Sequence, residues 1–415
     1  MIGFVGLAHL GIVSSIAAAA KGHSVVGYDP NADLVLNLQK GALPVLEPGL
    51  DDCLTTSRQN IAFISNPDGL HDCDLVIFSL DVPTDKDNCS DLSQLKALMG
   101  DIMPRVKSSA TFVVLSQVPP GFTRGLAESR IFCQVETLVF GAALERALKP
   151  ERFMVGCADP SGPLPAPFAD YLGSFGCPVL QMRYESAELA KIAINMFLIA
   201  SVSMTNTLAE LCEGIGAEWS EIAPALRLDR RIGPHAYLSP GLGISGGNLE
   251  RDLATVRNLA MEFGTESAVA DACLASSTYR KSWVLRRLGV ALQSKSDPVV
   301  AVLGLTYKAH TASIKNSPAV ELINSLSGIA VRAYDPEAPA IPFASDRVTR
   351  VAAAESAYEG ADALVIATAW PEFSRLDPAK IKRAMAADVV IDPYGVLVGD
   401  CKTIGLQYFK LGARP

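Results

Sequence analysis

The first residues with a spacing that could do chemistry are glycines. Ile2 to Val5 reads as a short strand, runs into Gly6-Leu7-Ala8-His9-Leu10-Gly11, and continues as a helical pattern. Glycine at position 6 permits the tight strand-to-helix turn, and Gly11 lets the helix lie close on the strand. The middle position, where backbone must approach a pyrophosphate, is Ala8; one methyl group weakens the fingerprint without excluding it. Asp29 ends the next apolar run, SVVGYD, about twenty residues on, where a carboxylate accepts ribose hydroxyls and repels a 2′-phosphate. The pattern therefore predicts NAD rather than NADP, held by Gly6, Leu7, Ala8, Leu10, Gly11 and Asp29, with the diphosphate on the helix N-terminus. His9 is read as incidental.

The elements that must position this loop follow from texture. From Met1 to about Leu180, short apolar runs alternate with helical patterns: IGFV, SVVGYD, DLVIFSL, TFVVLS and ETLVF. Such alternation predicts a parallel sheet buried on both faces. From Tyr184 to Leu292 apolar residues recur at spacings of three and four, interrupted by a Gly- and Pro-rich loop from Pro234 to Gly247. Strands return from Pro298, and VAVLGL, VRAYDP, ADALVIATA repeats the order of IGFVGL, VVGYDP, CDLVIFSL. The fold class is α/β: two Rossmann-like doubly wound parallel-sheet domains joined by a central helical segment, a ligand lying in the crevice at the strand ends.

Bulk composition sets limits. At 415 residues the chain exceeds the size of one growing core. With 36 basic and 44 acidic residues, a net charge of −8 and no basic tract, nucleic acid is not an expected partner. Nine cysteines without a CxxC pair suit reduced thiols in the cytoplasm. The uncharged first twenty residues lack a basic n-region and contain glycines, so no membrane segment is expected there.

Taken in order, further motifs resemble those of the UDP-glucose/GDP-mannose dehydrogenase family. They are Leu46-Glu47-Pro48-Gly49-Leu50, Pro83-Thr84-Asp85 with Asp91-Leu92-Ser93, Val118-Pro119-Pro120-Gly121 and Pro150-Glu151-Arg152. Glu188-Leu189-Ala190-Lys191 with Asn195, Asp229-Arg230-Arg231-Ile232-Gly233, Pro240-Gly241-Leu242-Gly243 and Gly304-Leu305-Thr306-Tyr307-Lys308 with Ser317-Pro318-Ala319 follow. The resemblance implies an NAD-binding domain over 1–183, a helical dimerisation domain over 184–293 with an active-site loop at 234–252, and a nucleotide-sugar domain over 294–415. It also implies a cytoplasmic homodimer of polysaccharide biosynthesis that oxidises a sugar alcohol of a nucleotide sugar, a UDP-hexose first among candidates, with NAD and no metal.

Family members oxidise twice, the second time through a thiohemiacetal on a cysteine within G-x-G-G-x-C-x-x-K-D. Here the loop reads Gly243-Ile244-Ser245-Gly246-Gly247-Asn248-Leu249-Glu250-Arg251-Asp252, so Asn248 stands at the cysteine and Arg251 at the lysine. An amide cannot add to an aldehyde as a thiolate does, so the covalent second oxidation is expected to be missing. Cys212 and Cys273 on the central helices are read as inert. Alcohol oxidation needs only hydride alignment, a base and donors for the alkoxide.

Lys191 and Asn195, four apart on one helix face, match the family residues that hold the reacting oxygen and a water; Asp252 and Glu136 complete that set, with Asn248 as a polar contact. Val82, Pro83, Gln117, Arg251 and Lys315 match cofactor positions. Lys191, Arg231 (supplied across a subunit boundary), Tyr237, Gly243, Ser245 and Lys308 match substrate positions. Other departures are Phe140 for a second glutamate, Gln117 for a threonine, and Asp392-Pro393-Tyr394-Gly395 for D-x-R-N. Four readings stay open: one NAD-coupled step, a double oxidation to a uronic acid, a non-catalytic nucleotide-sugar binder, and a 3-hydroxyacid dehydrogenase of related architecture, against which the C-terminal Rossmann-like unit argues.

Overall fold

A computed structural model describes residues 1–85, 89–244, 248–399 and 401–414. The chain forms two compact units, Met1–Ile194 and Asn195–Pro415, and the boundary falls within one helix, Tyr184–Ile215, of 32 residues. In the first unit the strands are β1 (Ile2–Val5), β2 (Val25–Tyr28), β3 (Ile61–Ile64), β4 (Leu75–Phe78), β5 (Thr111–Val114), β6 (Ile131–Gln134), β7 (Phe153–Cys157) and β8 (Val179–Arg183). They lie in the order 3-2-1-4-5-6-7-8, parallel except where β6 meets β7. In the second unit β9 (Val299–Leu303), β10 (Ala330–Tyr334), β11 (Val348–Arg350), β12 (Ala363–Ile366), β13 (Val389–Ile391) and β14 (Gln407–Phe409) form a parallel sheet in the order 11-10-9-12-13-14. Both sheets thus contain the 3-2-1-4-5-6 order of a dinucleotide fold.

The central strands explain the apolar runs. β1, β4 and β5 are buried at every residue, as helices on both faces require. One expected strand is displaced: the pairing segment is Ile131–Gln134, and ETLVF lies beyond it as a loop.

The repeat seen in the sequence extends to backbone geometry. Gly6 has φ +92° and Gly304 φ +93°. Asp29 accepts the Leu7 N–H at 2.8 Å, and Asp335 accepts the Leu305 N–H at 2.6 Å. The halves then diverge. In the first, the helix His9–Ala20 begins two residues after Leu7; in the second, the next helix waits until Pro318–Ser325. Only the first offers a helix N-terminus directly at its glycine turn.

A Cβ at Gly11 would overlap the Gly6 carbonyl oxygen and press on Ser79 Oγ at 2.8 Å. Neither neighbour is free to yield, because Ser79 Oγ also donates to the Gly6 carbonyl at 3.0 Å. Gly11→Ala is expected to lower the stability of the first unit by about 2–4 kcal/mol, measured as a lowered denaturant midpoint with loss of NAD binding.

Candidate functional site

The dinucleotide loop is organised around Asp29, which is buried. Oδ2 accepts the Leu7 N–H at 2.8 Å and Oδ1 the Asn31 N–H at 2.9 Å. Each carboxylate oxygen has a second lone pair, which leaves the group able to accept ribose hydroxyls. Gly6 donates to Tyr28 O at 2.9 Å and lies against Leu80, whose backbone would stand 2.9 Å from a Cβ there. Ala8, as the residue before the helix, gives it no side-chain cap, and Leu10 is buried in the first turn. Val82 and Pro83 follow β4, and Pro83 O accepts the Asp91 N–H at 2.9 Å.

His9 has a structural role that sequence reasoning did not find. Its Nε2 is 2.8 Å from Glu47 Oε1, and its ring lies tilted against Phe140 with centroids 4.2 Å apart. Glu47 is buried and also accepts the N–H groups of Gly141 at 2.9 Å and Ala143 at 3.0 Å. The LEPGL motif contained this residue, but only the fold reveals that it fastens a loop 94 residues further on.

Two clusters gather the expected catalytic residues. In the first unit, Lys191 Nζ donates to Glu136 Oε2 at 3.1 Å; the side chains are only 12% and 13% exposed. The other Glu136 oxygen accepts the Leu138 N–H. Both residues line a small pocket with Gln117, Cys133 and Glu188. Glu188, unassigned in the sequence, accepts the N–H groups of Gly121 at 2.6 Å and Thr123 at 2.9 Å, pinning the Pro-Pro-Gly loop to the long helix. Burial pushes its carboxyl above the usual range, and those donors oppose the shift.

In the second unit, Asn195 Nδ2 donates to Asp252 Oδ2 at 2.6 Å, both residues being buried. Arg251, also buried, brings Nε to 3.5 Å from Asp252 Oδ1. Lys191 and Asn195 lie one turn apart on the same helix.

Asn248 is the exposed first residue of the helix Asn248–Phe263. Gly243 has φ +91°, and the next residue, Ile244, donates its N–H to Ser277 Oγ at 2.7 Å. Ser245 lies outside the described residues. Glu250, two residues past Asn248, pairs with Lys281 at 3.3 Å and bonds to Asn316 Nδ2, and Lys315 is close enough to help hold its charge.

The loop before Gly243 is tied to the long helix. Tyr237 O accepts from Ser201 and Thr205, and Asn206 Oδ1 accepts the Gly241 N–H at 2.8 Å. Tyr237 itself is exposed. Arg231 is clamped bidentately by Asp229 at 3.0 and 2.7 Å, yet its side chain is 88% exposed. Lys308 lies 5.6 Å from the Tyr307 ring centroid, and burial pushes the Tyr307 phenol up to about 12.

The nine cysteines are free and either buried or half-buried. Cys133 is the thiol in the Lys191–Glu136 pocket, and burial holds it in the protonated form by pushing its pKa far up. Burial likewise raises Cys212. Among the described residues no group of three or more His, Cys, Asp or Glu side chains is arranged to hold a metal.

Comparison with known proteins agrees along the whole chain. Residues 1–160 match the NAD binding domain of the UDP-glucose/GDP-mannose dehydrogenase family, residues 185–278 its central domain, and residues 301–399 its UDP binding domain. The chain is 28% identical over 435 residues to the UDP-glucose 6-dehydrogenase TuaD of Bacillus subtilis, covering 100% of this chain and 93% of that one. It is 29% identical over 441 residues to the UDP-glucose 6-dehydrogenase of Rhizobium meliloti, covering 100% and 99%. The structure of a UDP-glucose dehydrogenase from Pyrobaculum islandicum superposes with a TM-score of 0.87 at 27% identity, covering 100% of this chain and 98% of that one.

Proposed function

The chain belongs to the UDP-glucose/GDP-mannose dehydrogenase family, and on that premise we propose that it carries out one NAD-coupled alcohol–carbonyl interconversion on a UDP-hexose. It is an NAD-dependent nucleotide-sugar dehydrogenase. The observation that carries the single-step reading is Asn248, exposed at the head of its helix where the family thiol is expected. The thiol beside Lys191 is buried and protonated, so it offers no substitute nucleophile.

The loop Gly6–Gly11, the amides of the following helix and the carboxylate of Asp29 fit a dinucleotide, with Val82, Pro83, Gln117, Arg251 and Lys315 as further cofactor positions. When bound, NAD supplies the hydride acceptor. The ammonium of Lys191 donates to the substrate oxygen as it gains negative charge, and Glu136 orients that ammonium and takes the hydroxyl proton. Asp252 fixes the amide of Asn195 through the bond at 2.6 Å, leaving its carbonyl oxygen as an acceptor for the substrate or a water. Lys308 suits the diphosphate as a point charge, and Tyr237 and Gly243 stand at the family's sugar-contacting positions.

Counting NADH against product for UDP-, GDP- and dTDP-sugars tests the reading. One equivalent with an aldehyde or ketone agrees; two equivalents with an acid overturn the single step, and tight binding without NADH overturns catalysis.

A homodimer is part of the proposal. Phe197 (80% exposed), Met204, Leu208, Leu211 and Ile215 form an exposed apolar stripe at spacings of seven, four, three and four on the long helix. By length and composition that helix could cross a membrane. However, Thr205, Asn206 and Glu213 along it are committed to loop and helix partners, including Trp283 Nε1 at 3.0 Å from Glu213. Pairing with a second copy would cover the stripe and give the exposed Arg231 a neighbour. Phe197→Glu is expected to convert dimer to monomer in sedimentation and to remove most activity; an unchanged sedimentation coefficient would count against it.

A further inference from the structure

We propose that His9 is a positioning residue for the catalytic loop: its imidazole carries the ordering of the dinucleotide turn, through Glu47, to the segment that holds Glu136 against Lys191. This rests on the assignment of NAD to residues 1–160 and on Glu136 acting at the substrate oxygen.

A carboxylate inside the protein needs donors. The Glu47 side chain has no solvent exposure, and it takes three donors from two distant parts of the chain. Oε1 meets His9 Nε2 at 2.8 Å and the Gly141 N–H at 2.9 Å, and Oε2 accepts the Ala143 N–H at 3.0 Å. The imidazole is the one side-chain donor of the three. A carboxylate that accepts amides leaves Nε2 as the atom carrying the proton in this bond. The His9 side chain is itself only 14% exposed, with its ring tilted 39° against Phe140.

His9 is the first residue of the helix His9–Ala20, directly after Gly6-Leu7-Ala8. Its backbone thus belongs to the cofactor turn, while its side chain serves the loop. On the loop side, Ala143 opens the helix Ala143–Leu148. Arg146 in that helix donates Nε to Thr137 O at 2.9 Å, and the neighbouring Glu136 accepts Lys191 Nζ at 3.1 Å. Hydrogen bonds therefore link the turn to the Lys191–Glu136 pair by way of one short helix. Bound NAD fixes the backbone at residue 9. The imidazole then holds Glu47, and with it the loop, in one arrangement; by linkage, an ordered loop favours NAD in return.

Hydrogen exchange of the segment 137–143, followed by mass spectrometry with and without NAD, tests this on the native protein, His9→Ala and His9→Gln. NAD is expected to slow exchange of the native segment by about tenfold. In His9→Ala the slowing should vanish while the Kd for NAD, from calorimetry, stays within about threefold. His9→Gln, whose amide nitrogen reaches the place of Nε2, should keep most of it. kcat should fall about tenfold in the alanine variant, with KM for NAD little changed, and recover in the glutamine variant. A native segment that does not respond to NAD overturns the proposal. So does His9→Ala with the native ratio of exchange rates, which would make the imidazole a structural strut alone. Loss of the slowing in both variants overturns the route through Glu47, assigning the effect to the ring against Phe140. If His9→Ala does not melt cooperatively, His9→Asn, too short to reach Glu47, takes its place with the same expectation. Failure of the native protein to bind NAD would overturn the cofactor assignment and the proposal with it. A normal kcat in His9→Ala with the slowing lost would uphold the coupling and count against Glu136 as the catalytic carboxylate.

Discussion

Lys191→Met is expected to lower kcat for alcohol oxidation by about three orders of magnitude while leaving NAD affinity within about twofold. Methionine approximates the length of the lysine stem and removes the ammonium. What disappears is the donor that meets negative charge as the hydroxyl proton leaves, an interaction needed more in the transition state than in the ground state. The partner makes the effect larger than loss of one contact. Glu136 is 13% exposed, and after the substitution its Oε2 keeps no cation, so a partly buried carboxylate is left poorly paired. Lys191→Arg should recover little, because a planar fork does not reproduce the point charge at that distance. Steady-state kinetics with a KM-against-kcat split decides the matter. A kcat within about tenfold of the native value, in a variant that melts normally, would make this lysine structural rather than catalytic.

How much was legible beforehand depends on the kind of interaction. β1 and β4 announced themselves because sheets covered on both faces select unbroken apolar runs, and IGFV and LVIF are buried throughout. The shared YDP endings were legible for a chemical reason too: Asp29 and Asp335 each terminate a strand and accept amides from the turn beside it. Where two short apolar runs follow each other, periodicity does not say which one pairs. Ile131–Gln134 joins the sheet, while Glu136 in the next run turns toward Lys191.

The i, i+4 spacing of Lys191 and Asn195 was visible locally, but the bond from Asn195 to Asp252 closes over 57 residues and needs the fold. Glu47 and Glu188 were hidden in a further way. Their carboxylates serve backbone N–H groups, which leave no residue-type signature at the other end.

Asn248→Cys is expected to move the NADH yield from one toward two per UDP-sugar, with a covalent acyl-enzyme visible by mass spectrometry. The position favours a thiol. Residue 248 is exposed and opens a helix of 16 residues, so the smaller side chain creates no cavity, and the helix N-terminus favours the thiolate. A thiolate there would add to the aldehyde carbon, transfer of hydride would give a thioester and the second NADH, and water would release acid and thiol. The last step is the one expected to lag. Phe140 and Gln117 stand where the family resemblance implies a glutamate and a threonine, and the Phe140 ring packs tilted against His9. The second NADH should therefore appear as a burst of about one per active site, followed by slow turnover. A folded variant that still yields one NADH and carries no adduct would mean that residue 248 does not face the carbonyl, and the single-step chemistry would then need a cause other than the missing sulphur.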